Sequence, residues 1–225
     1  MTNKNIFVAC DLSSQKEVID LLELIHNDIS GIKIGLQYIT QRSPEEIREL
    51  SRFKKPIFYD GKFFDIKNTL VESIKSLKDL NVKYATVHLL NGFDALNEAN
   101  KVAQDIDLNL LGVSVLTSFE DKDLEILGFN NKVEDQVKKL AKIAMESNLF
   151  GVICSPHEIK MIKEIAPNIK CFTPGIRMGE EKNDQKRTMT ANEAIKAGSD
   201  CLIIGRPITK GDPQENIKNI LSSID

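Results

Sequence analysis

The sequence lacks both a long apolar run and an excess of positive charge. No apolar stretch approaches the roughly 18 residues that a membrane-spanning helix needs. Its 30 Lys and Arg residues against 33 Asp and Glu residues give a formal net charge of -3, whereas proteins that bind nucleic-acid backbones need a broad cationic surface. We therefore expect a cytoplasmic protein with no membrane and no nucleic-acid partner, in which a few placed groups bind any small anion.

The chain also lacks the cysteine and histidine spacing of disulfide frameworks and metal sites. Its four cysteines are widely separated and lie within apolar runs: Cys10, Cys154, Cys171 and Cys201. Such positions are typical of buried thiols in a reducing compartment. His26 and His157 lie in predicted helices, and no neighbouring residue indicates a metal. The sequence therefore predicts no metal ligand and no cofactor.

What the sequence does contain is a regular alternation of short apolar runs with amphipathic segments. Eight runs are rich in β-forming residues: 6–10, 32–34, 56–59, 84–87, 110–115, 151–154, 171–173 and 201–204. Most are continuously apolar, which is typical of parallel strands covered on both faces. Several intervening segments begin with capping boxes, such as Ser14-x-x-Glu17 and Thr190-x-x-Glu193. The pattern predicts an α/β protein in which residues 1–225 form a single (β/α)8 barrel domain.

A doubly wound open sheet is the competing architecture. A sheet of that kind that binds a dinucleotide carries a glycine-rich phosphate loop after its first strand. Here the first apolar run leads into Asp11-Leu12-Ser13 instead. The missing loop favours the closed barrel.

Polar residues follow the apolar runs at the places where barrel strands are expected to end. In chain order they are Asp11, Lys33 with Gly35, Asp60 with Lys62, His88, Thr117 with Ser118, Ser155, 174–177, and Gly205 with Arg206. The carboxyl ends of barrel strands surround one mouth, where active sites lie. Taken singly, each residue is better explained as a helix cap or a structural group, as we expect for Ser155 and His88. Their convergence on one mouth is what indicates a site.

The densest element is Asp60-Gly61-Lys62-Phe63-Phe64-Asp65-Ile66, in which two carboxylates bracket a lysine. Residues i and i+2 of an extended segment face the same side, so Asp60 and Lys62 are expected to point together into the mouth. The alternative is a surface ion pair, worth about 0 to 1 kcal/mol. Lys33, at an adjacent strand end, favours a functional array, because alternating charges in a dry pocket create a strong local field.

The same element, continued by Asn68-Thr69, resembles the signature of the orotidine 5'-phosphate decarboxylase family, with Lys67 where that family usually has proline. Further motifs extend the resemblance over essentially the whole chain: Lys33-x-Gly35, Thr86-Val87-His88, Leu116-Thr117-Ser118, Pro174-Gly175-Ile176-Arg177, Asp184-Gln185-x-x-Arg187-Thr188 and Ile204-Gly205-Arg206-Pro207-Ile208. Several independent motifs in the family's order make the resemblance specific, whereas Gly-Arg-Pro alone would be weak.

The resemblance implies a cofactor-free enzyme that converts orotidine 5'-phosphate to UMP and CO₂. It implies a charged catalytic tetrad made of Lys33, Asp60, Lys62 and Asp65. In that tetrad the Lys62 ammonium stabilises negative charge at C6 of the pyrimidine and then delivers the proton. The resemblance also implies a homodimer, in which Asp65 and Thr69 reach into the neighbouring subunit's site.

A set of substrate-binding residues follows from the same resemblance: Asp11, Thr69, Ser118, Pro174, Gln185, Gly205 and Arg206. Asp11 is expected to accept hydrogen bonds from ribose hydroxyls, and Ser118 to bind the amide edge of the pyrimidine. Gln185, Arg206 and the backbone at Gly205 are expected at the 5'-phosphate, which an Arg side chain can bind bidentately. The polar segment at about 176–187 predicts a mobile loop that grips the phosphate.

Two other functions remain open. Magnesium-dependent sugar-phosphate enzymes, similar to 3-keto-L-gulonate 6-phosphate decarboxylase or hexulose phosphate synthase, share an Asp-x-Lys-x-x-Asp element but stabilise an enediolate through the metal. A non-catalytic phosphate-binding barrel would have little reason to keep four charged residues together. The Asp-Ile-x-Asn-Thr continuation and the Asp-Gln-x-x-Arg segment favour the pyrimidine nucleotide.

Overall fold

Eight parallel strands close into a barrel in the computed structural model, which describes residues 5–177 and 188–224. The strands pair in chain order, and the last pairs with the first to complete the ring. They are β1 (Ile6–Ala9), β2 (Gly31–Gly35), β3 (Ile57–Phe63), β4 (Tyr84–His88), β5 (Asn109–Val113), β6 (Gly151–Ile153), β7 (Lys170–Thr173) and β8 (Cys201–Ile204). The predicted (β/α)8 barrel is confirmed.

At least one α-helix follows each strand and covers the outside of the barrel. The helices are α1 (Gln15–Ile25), α2 (Leu36–Ile39), α3 (Pro44–Glu49), α4 (Lys67–Ser76), α5 (Phe93–Asp105), α6 (Asp121–Ile126), α7 (Val133–Glu146), α8 (Ile159–Ile165), α9 (Ala191–Lys196), α10 (Arg206–Thr209) and α11 (Pro213–Ser223). Short 3-10 helices span Leu50–Phe53, Leu77–Leu80, Leu89–Asn91 and Pro156–Glu158. In the part of the chain that the structure describes, no helix combines the length and the apolar character needed to cross a bilayer.

Capping boxes fix several helix starts, as the sequence predicts. At the start of α1, the Ser14 hydroxyl accepts a hydrogen bond from the backbone N–H of Glu17 (3.2 Å), and the Glu17 carboxylate accepts one from the backbone N–H of Ser14 (2.9 Å). Thr190 and Glu193 form the same reciprocal pair at α9. These contacts satisfy backbone donors that have no partner within the helix.

Aromatic rings fill the amino-terminal part of the barrel interior. Phe7 on β1 contacts the rings of Phe58, Tyr84 and Phe172, at centroid distances of 6.3, 5.5 and 6.0 Å. A Cβ atom at Gly31, on the neighbouring strand, would lie 2.2 Å from the Phe7 ring, so glycine leaves the space that this ring occupies. We call these four aromatic residues the aromatic plug. The plug fills one end of the barrel and leaves the carboxyl end free for a cavity.

A second apolar layer lies between the barrel and the helices. Along β1, Phe7 and Ala9 belong to the interior cluster, whereas Ile6 and Val8 pack outward against the helices. This alternation follows from the two-residue period of a strand. All four cysteines are buried free thiols, as the sequence predicts.

β3 is longer than the sequence indicates, and its second half is irregular. The apolar run suggests a strand over 56–59, but β3 continues to Phe63. Tyr59 is in register with Ala85 of β4, whereas Phe63 is in register with Val87, so the pairing shifts between these points. A strand that bulges in this way turns side chains away from the regular alternation. The bulged residues are those of the charged element.

Candidate active site

A cavity of about 510 Å³ opens at the carboxyl ends of the strands. Among the residues that the structure describes, six charged side chains line it: Asp11, Lys33, Asp60, Lys62, Arg177 and Arg206. Each of them belongs to a barrel strand or follows one closely, in agreement with the place where barrel enzymes carry their active sites. The cavity therefore collects most of the candidates that the strand-end argument selects.

Lys33 is the buried centre of this cavity. It points inward from β2, is only 6% exposed, and places its Nζ 2.9 Å from both carboxylate oxygens of Asp11. The same Nζ lies 4.0 Å from Oδ2 of Asp60. A Cβ atom at Gly35 would lie 2.6 Å from Oδ1 of Asp11 and 2.9 Å from Nζ of Lys33. Because glycine has no side chain, Gly35 leaves room for the ion pair between Lys33 and Asp11.

Asp60 and Lys62 meet in the cavity through the bulge in β3. Nζ of Lys62 donates to Oδ2 of Asp60 at 2.8 Å. The backbone of Lys62 is left-handed, with φ of 49°, which non-glycine residues adopt infrequently. The two side chains therefore converge because the strand departs from a regular extended conformation, and not through the simple i, i+2 alternation of the sequence argument.

The four charged groups form an alternating series, Asp11, Lys33, Asp60 and Lys62, which we call the charged array. The side chains of Lys33 and Asp60 are largely buried, at 8% and 15% exposed, whereas that of Lys62 is 34% and that of Asp11 43% exposed. Two ammonium groups balance two carboxylates, so the array carries no net charge but holds a strong field. Only Lys62 presents its ammonium at the accessible end.

Asp65 and Thr69 lie outside the charged array. Both are exposed, and neither lines the cavity of its own chain. Oδ1 of Asp65 accepts a hydrogen bond from the backbone N–H of Ile66 (2.7 Å), and the backbone N–H of Asp65 donates to Oδ1 of Asn91 (3.1 Å). Within one chain, Asp11 occupies the place in the array that the sequence argument gave to Asp65.

Several binding candidates also line the cavity. Pro174, Gly205 and Arg206 line it, as does Thr117, whereas the neighbouring Ser118 is exposed and does not. Gly205 directly precedes α10, and Arg206 is the first residue of that helix. The start of α10 therefore lies at the cavity.

Backbone hydrogen bonds join residues just after β7 to residues just before α9. The backbone N–H of Arg177 donates to the carbonyl of Met189 (3.0 Å), and the N–H of Met189 donates to the carbonyl of Gly175 (3.2 Å). Of the proposed phosphate-gripping loop at 176–187, only Ile176 and Arg177 belong to the described residues. Gln185 lies outside them.

His88 and Cys10 lie near the array without lining the cavity. Burial and the positive charge of Lys62 lower the pKa of His88, and its Nδ1 accepts a hydrogen bond from the backbone N–H of Leu90 (3.3 Å). Burial raises the pKa of the Cys10 thiol to about 12, although the charge of Lys33 opposes this. Both groups are therefore neutral at pH 7, and the structural role expected for His88 stays a prediction.

The sequence argument gave no role to two residues that lie at the site. Arg177 is 6% exposed, lines the cavity and donates through Nη1 to the carbonyl of Ile176 (2.8 Å). Its position at the end of the Pro174-Gly175-Ile176-Arg177 motif could have indicated a role at the site. Thr86 is fully buried and contacts both Asp60 and Lys62. Thr86 opens the Thr86-Val87-His88 motif, but a threonine within an apolar strand does not indicate which side chains it contacts.

Within residues 5–177 and 188–224, no group of three or more His, Cys, Asp or Glu side chains is arranged to hold a metal ion. Both carboxylate oxygens of Asp60 are engaged, Oδ2 by Lys62 and Oδ1 by Thr86. The array is thus built from ammonium and carboxylate groups that neutralise one another.

The chain matches the family described as "Orotidine 5'-phosphate decarboxylase / HUMPS family" over residues 4–220. Orotidine 5'-phosphate decarboxylase of Wolbachia sp. subsp. Brugia malayi is 37% identical, over 97% of this chain and 98% of that protein. The enzyme of that name from Actinobacillus succinogenes is 35% identical, over 99% and 98% of the two chains. The crystal structure of orotidine 5'-phosphate decarboxylase from Lactobacillus acidophilus superposes with a TM-score of 0.87 at 29% identity, covering 99% of this chain and 100% of the other.

Proposed function

Because the chain belongs to the orotidine 5'-phosphate decarboxylase / HUMPS family, we propose that it converts orotidine 5'-phosphate to UMP and CO₂ in pyrimidine biosynthesis. The observation that carries this proposal is the charged array, which ends in an accessible ammonium within a cavity of about 510 Å³. A cavity of that size accommodates a nucleotide. The residue roles that follow belong to the same proposal.

Decarboxylation at C6 is difficult because the pyrimidine ring cannot readily delocalise the electron pair that remains. The bond between C6 and the carboxylate carbon breaks, CO₂ departs, and the pair stays on C6. The Lys62 ammonium stabilises that charge electrostatically and then transfers its proton to C6, which completes UMP. Lys62 acts as the general acid, and no group other than substrate and protein is needed to balance the step.

The other members of the array prepare Lys62 for this role. Asp60 holds the Lys62 ammonium in an ion pair at 2.8 Å. Asp60 also faces the place of the substrate carboxylate, so a repulsion in the bound substrate disappears as CO₂ leaves. Lys33, whose Nζ lies 2.9 Å from Asp11, balances the negative charges of Asp11 and Asp60. A further role of Asp11 is to accept hydrogen bonds from the ribose.

Phosphate binding is assigned to the start of α10. Arg206 offers a planar guanidinium, and the backbone at Gly205 offers N–H donors at a helix start. Gln185, which lies outside the described residues, is assigned to the same phosphate. Binding energy from the phosphate is thereby used at the distant reacting carbon.

We further propose a homodimer in the cytoplasm. Four apolar side chains are unusually exposed around Asp65: Phe64 (63%), Ile66 (74%), Leu90 (41%) and Phe93 (45%). Exposed apolar side chains of this size are typical of a protein interface. Covering them with a second copy would bring Asp65 and Thr69 toward the neighbouring site. The four free buried thiols support a reducing compartment.

The magnesium-dependent sugar-phosphate reaction is not favoured. It needs a carboxylate that binds the metal directly, and the Asp60 oxygens are engaged by Lys62 and Thr86. The named relatives that match nearly the whole chain are orotidine 5'-phosphate decarboxylases.

The direct test is to follow the ultraviolet absorbance of orotidine 5'-phosphate with purified protein, with and without EDTA. We expect conversion to UMP at the same rate in both samples. No conversion, or conversion that EDTA abolishes, would contradict the proposed reaction.

A further inference from the structure

Thr86 joins the two β3 members of the charged array to the neighbouring strand. Its side chain on β4 is fully buried. The hydroxyl donates to Oδ1 of Asp60 (2.9 Å) and accepts a hydrogen bond from the backbone N–H of Lys62 (2.8 Å). One hydroxyl group thus holds both the carboxylate and the backbone of the lysine.

This contact lies where the regular pairing of β3 with β4 is interrupted. The register passes from Tyr59 opposite Ala85 to Phe63 opposite Val87, and Thr86 lies between the two β4 positions. In a regular ladder, a backbone carbonyl would accept from the N–H of the bulged strand. Here the Thr86 side chain supplies the acceptor, which satisfies a donor that the bulge would leave without a strand partner.

The geometry of the array depends on this arrangement. Lys62 has a left-handed backbone, φ 49°, and its N–H bond to Thr86 fixes the direction in which its side chain leaves the strand. With Oδ1 of Asp60 held by the hydroxyl, Oδ2 points at Nζ of Lys62 (2.8 Å) and toward Nζ of Lys33 (4.0 Å). Removing the hydroxyl would release the carboxylate and the lysine backbone together.

We propose that Thr86 is a positioning residue for decarboxylation, which acts on the reaction through Asp60 and Lys62 and without touching the substrate. This inference rests on the proposed function. A group that aligns the acid but does not bind the nucleotide should affect kcat and leave substrate affinity nearly unchanged.

The test compares Thr86→Val, which keeps the shape and removes the hydroxyl, with Thr86→Ser, which keeps the hydroxyl. Thr173→Val is the matched control, because Thr173 is also fully buried and its hydroxyl accepts a hydrogen bond from Ser199 (2.7 Å), away from the array. For each protein, kcat and KM for orotidine 5'-phosphate, the Kd for UMP and the melting temperature are measured.

We expect Thr86→Val to lower kcat roughly ten- to hundredfold, with KM and the Kd for UMP within about threefold of the parent. Thr86→Ser should recover most of the parent kcat. Thr173→Val should reduce the melting temperature and keep kcat. If Thr86→Val is too unstable to assay, Thr86→Ala removes the same hydroxyl with a smaller side chain and should show the same loss.

Three results would overturn the role of Thr86: a folded Thr86→Val enzyme with the parent kcat, a Thr86→Ser enzyme as slow as Thr86→Val, or equal losses of kcat in Thr86→Val and Thr173→Val. A parent protein that does not decarboxylate the nucleotide would overturn the proposed function itself. An active parent with an equally active Thr86→Val variant would overturn only the positioning role.

Discussion

The two ends of the barrel are built from the same strands and carry opposite chemistry. β1 supplies Phe7 to the aromatic plug and leads into Asp11, and β3 supplies Phe58 to the plug and Asp60 two residues later. One end is packed with aromatic rings, whereas the other carries alternating charges around a cavity. Inward side chains repeat every two residues, so an aromatic residue that packs the barrel is followed two or four residues later by a charged residue that lines the cavity. Substitutions at the amino end should therefore lower stability and keep kcat, whereas substitutions at the carboxyl end should lower kcat and keep stability.

A comparison of the charged groups at the two ends leads to the same distinction. At the amino end, Asp200 accepts hydrogen bonds from Nζ of Lys163 (2.6 Å), Nζ of Lys170 (3.0 Å) and the backbone N–H of Cys171 (2.9 Å). This cluster lies outside the cavity and ties α8, β7 and the start of β8 together. The charged array at the carboxyl end presents an ammonium to the cavity. The first arrangement suits stability, and the second suits catalysis.

The largest effect should come from Lys62→Ala at the carboxyl end. Losing the general acid and its charge should lower kcat about 10⁴-fold or more, with little change in melting temperature. The absorbance assay with orotidine 5'-phosphate measures the loss. Lys101→Ala is a suitable control, because that lysine is 63% exposed and pairs only at the surface with Glu98. A Lys62→Ala enzyme that decarboxylates the nucleotide at close to the parent rate would show that catalysis at the carboxyl end does not depend on this ammonium.

The next effect concerns the amino end, where Phe7→Ala would leave a cavity among the three rings that Phe7 contacts. We expect the free energy of unfolding in urea to fall by about 3 to 5 kcal/mol. The kcat of the folded fraction should remain close to that of the parent. Ile126→Ala, at a side chain 83% exposed, should change the unfolding free energy by less than about 0.5 kcal/mol. A large fall in kcat for folded Phe7→Ala would show that the two ends are coupled.

The smallest effect should come from Asp200→Asn. Burial raises the pKa of Asp200, but hydrogen bonds from Lys163, from the backbone at Cys171 and from Lys170 outweigh it, so the pKa lies below its usual value of 3.8. A carboxyl with a lowered pKa in the folded state stabilises the fold above that usual value, and the stabilisation is lost as the pH falls through the folded-state pKa. Asp200→Asn should therefore lower the unfolding free energy by about 1 kcal/mol at pH 7.

Urea unfolding of the parent and Asp200→Asn at several pH values measures this difference. The two proteins should converge as the pH is lowered below 3.8. A difference that is the same at pH 7 and in acid would show that the charge of Asp200 does not contribute.

The barrel and three of the four array residues, Lys33, Asp60 and Lys62, could be predicted from the sequence, because both follow from local patterns. Continuous apolar runs indicate parallel strands, and the charged residues directly follow those runs. The Lys33 to Asp11 ion pair was not predictable, because it depends on the register that places Ala9 opposite Lys33. The extension of β3 and the left-handed backbone at Lys62 arise from pairing with β4, which is not encoded locally. For the same reason, the contacts of Thr86 were visible only in the structure.

The central claim is that an amine at position 62 performs the chemistry, and chemical rescue tests it most directly. The decarboxylation rate of Lys62→Cys is measured before and after alkylation with 2-bromoethylamine, which restores a side chain of nearly lysine length that ends in an amine. The parent, whose four cysteines are buried, is treated in parallel. We predict that Lys62→Cys is nearly inactive and that alkylation restores a large part of the lost rate. Full activity before alkylation, or no recovery when mass spectrometry shows the group at position 62, would contradict the account.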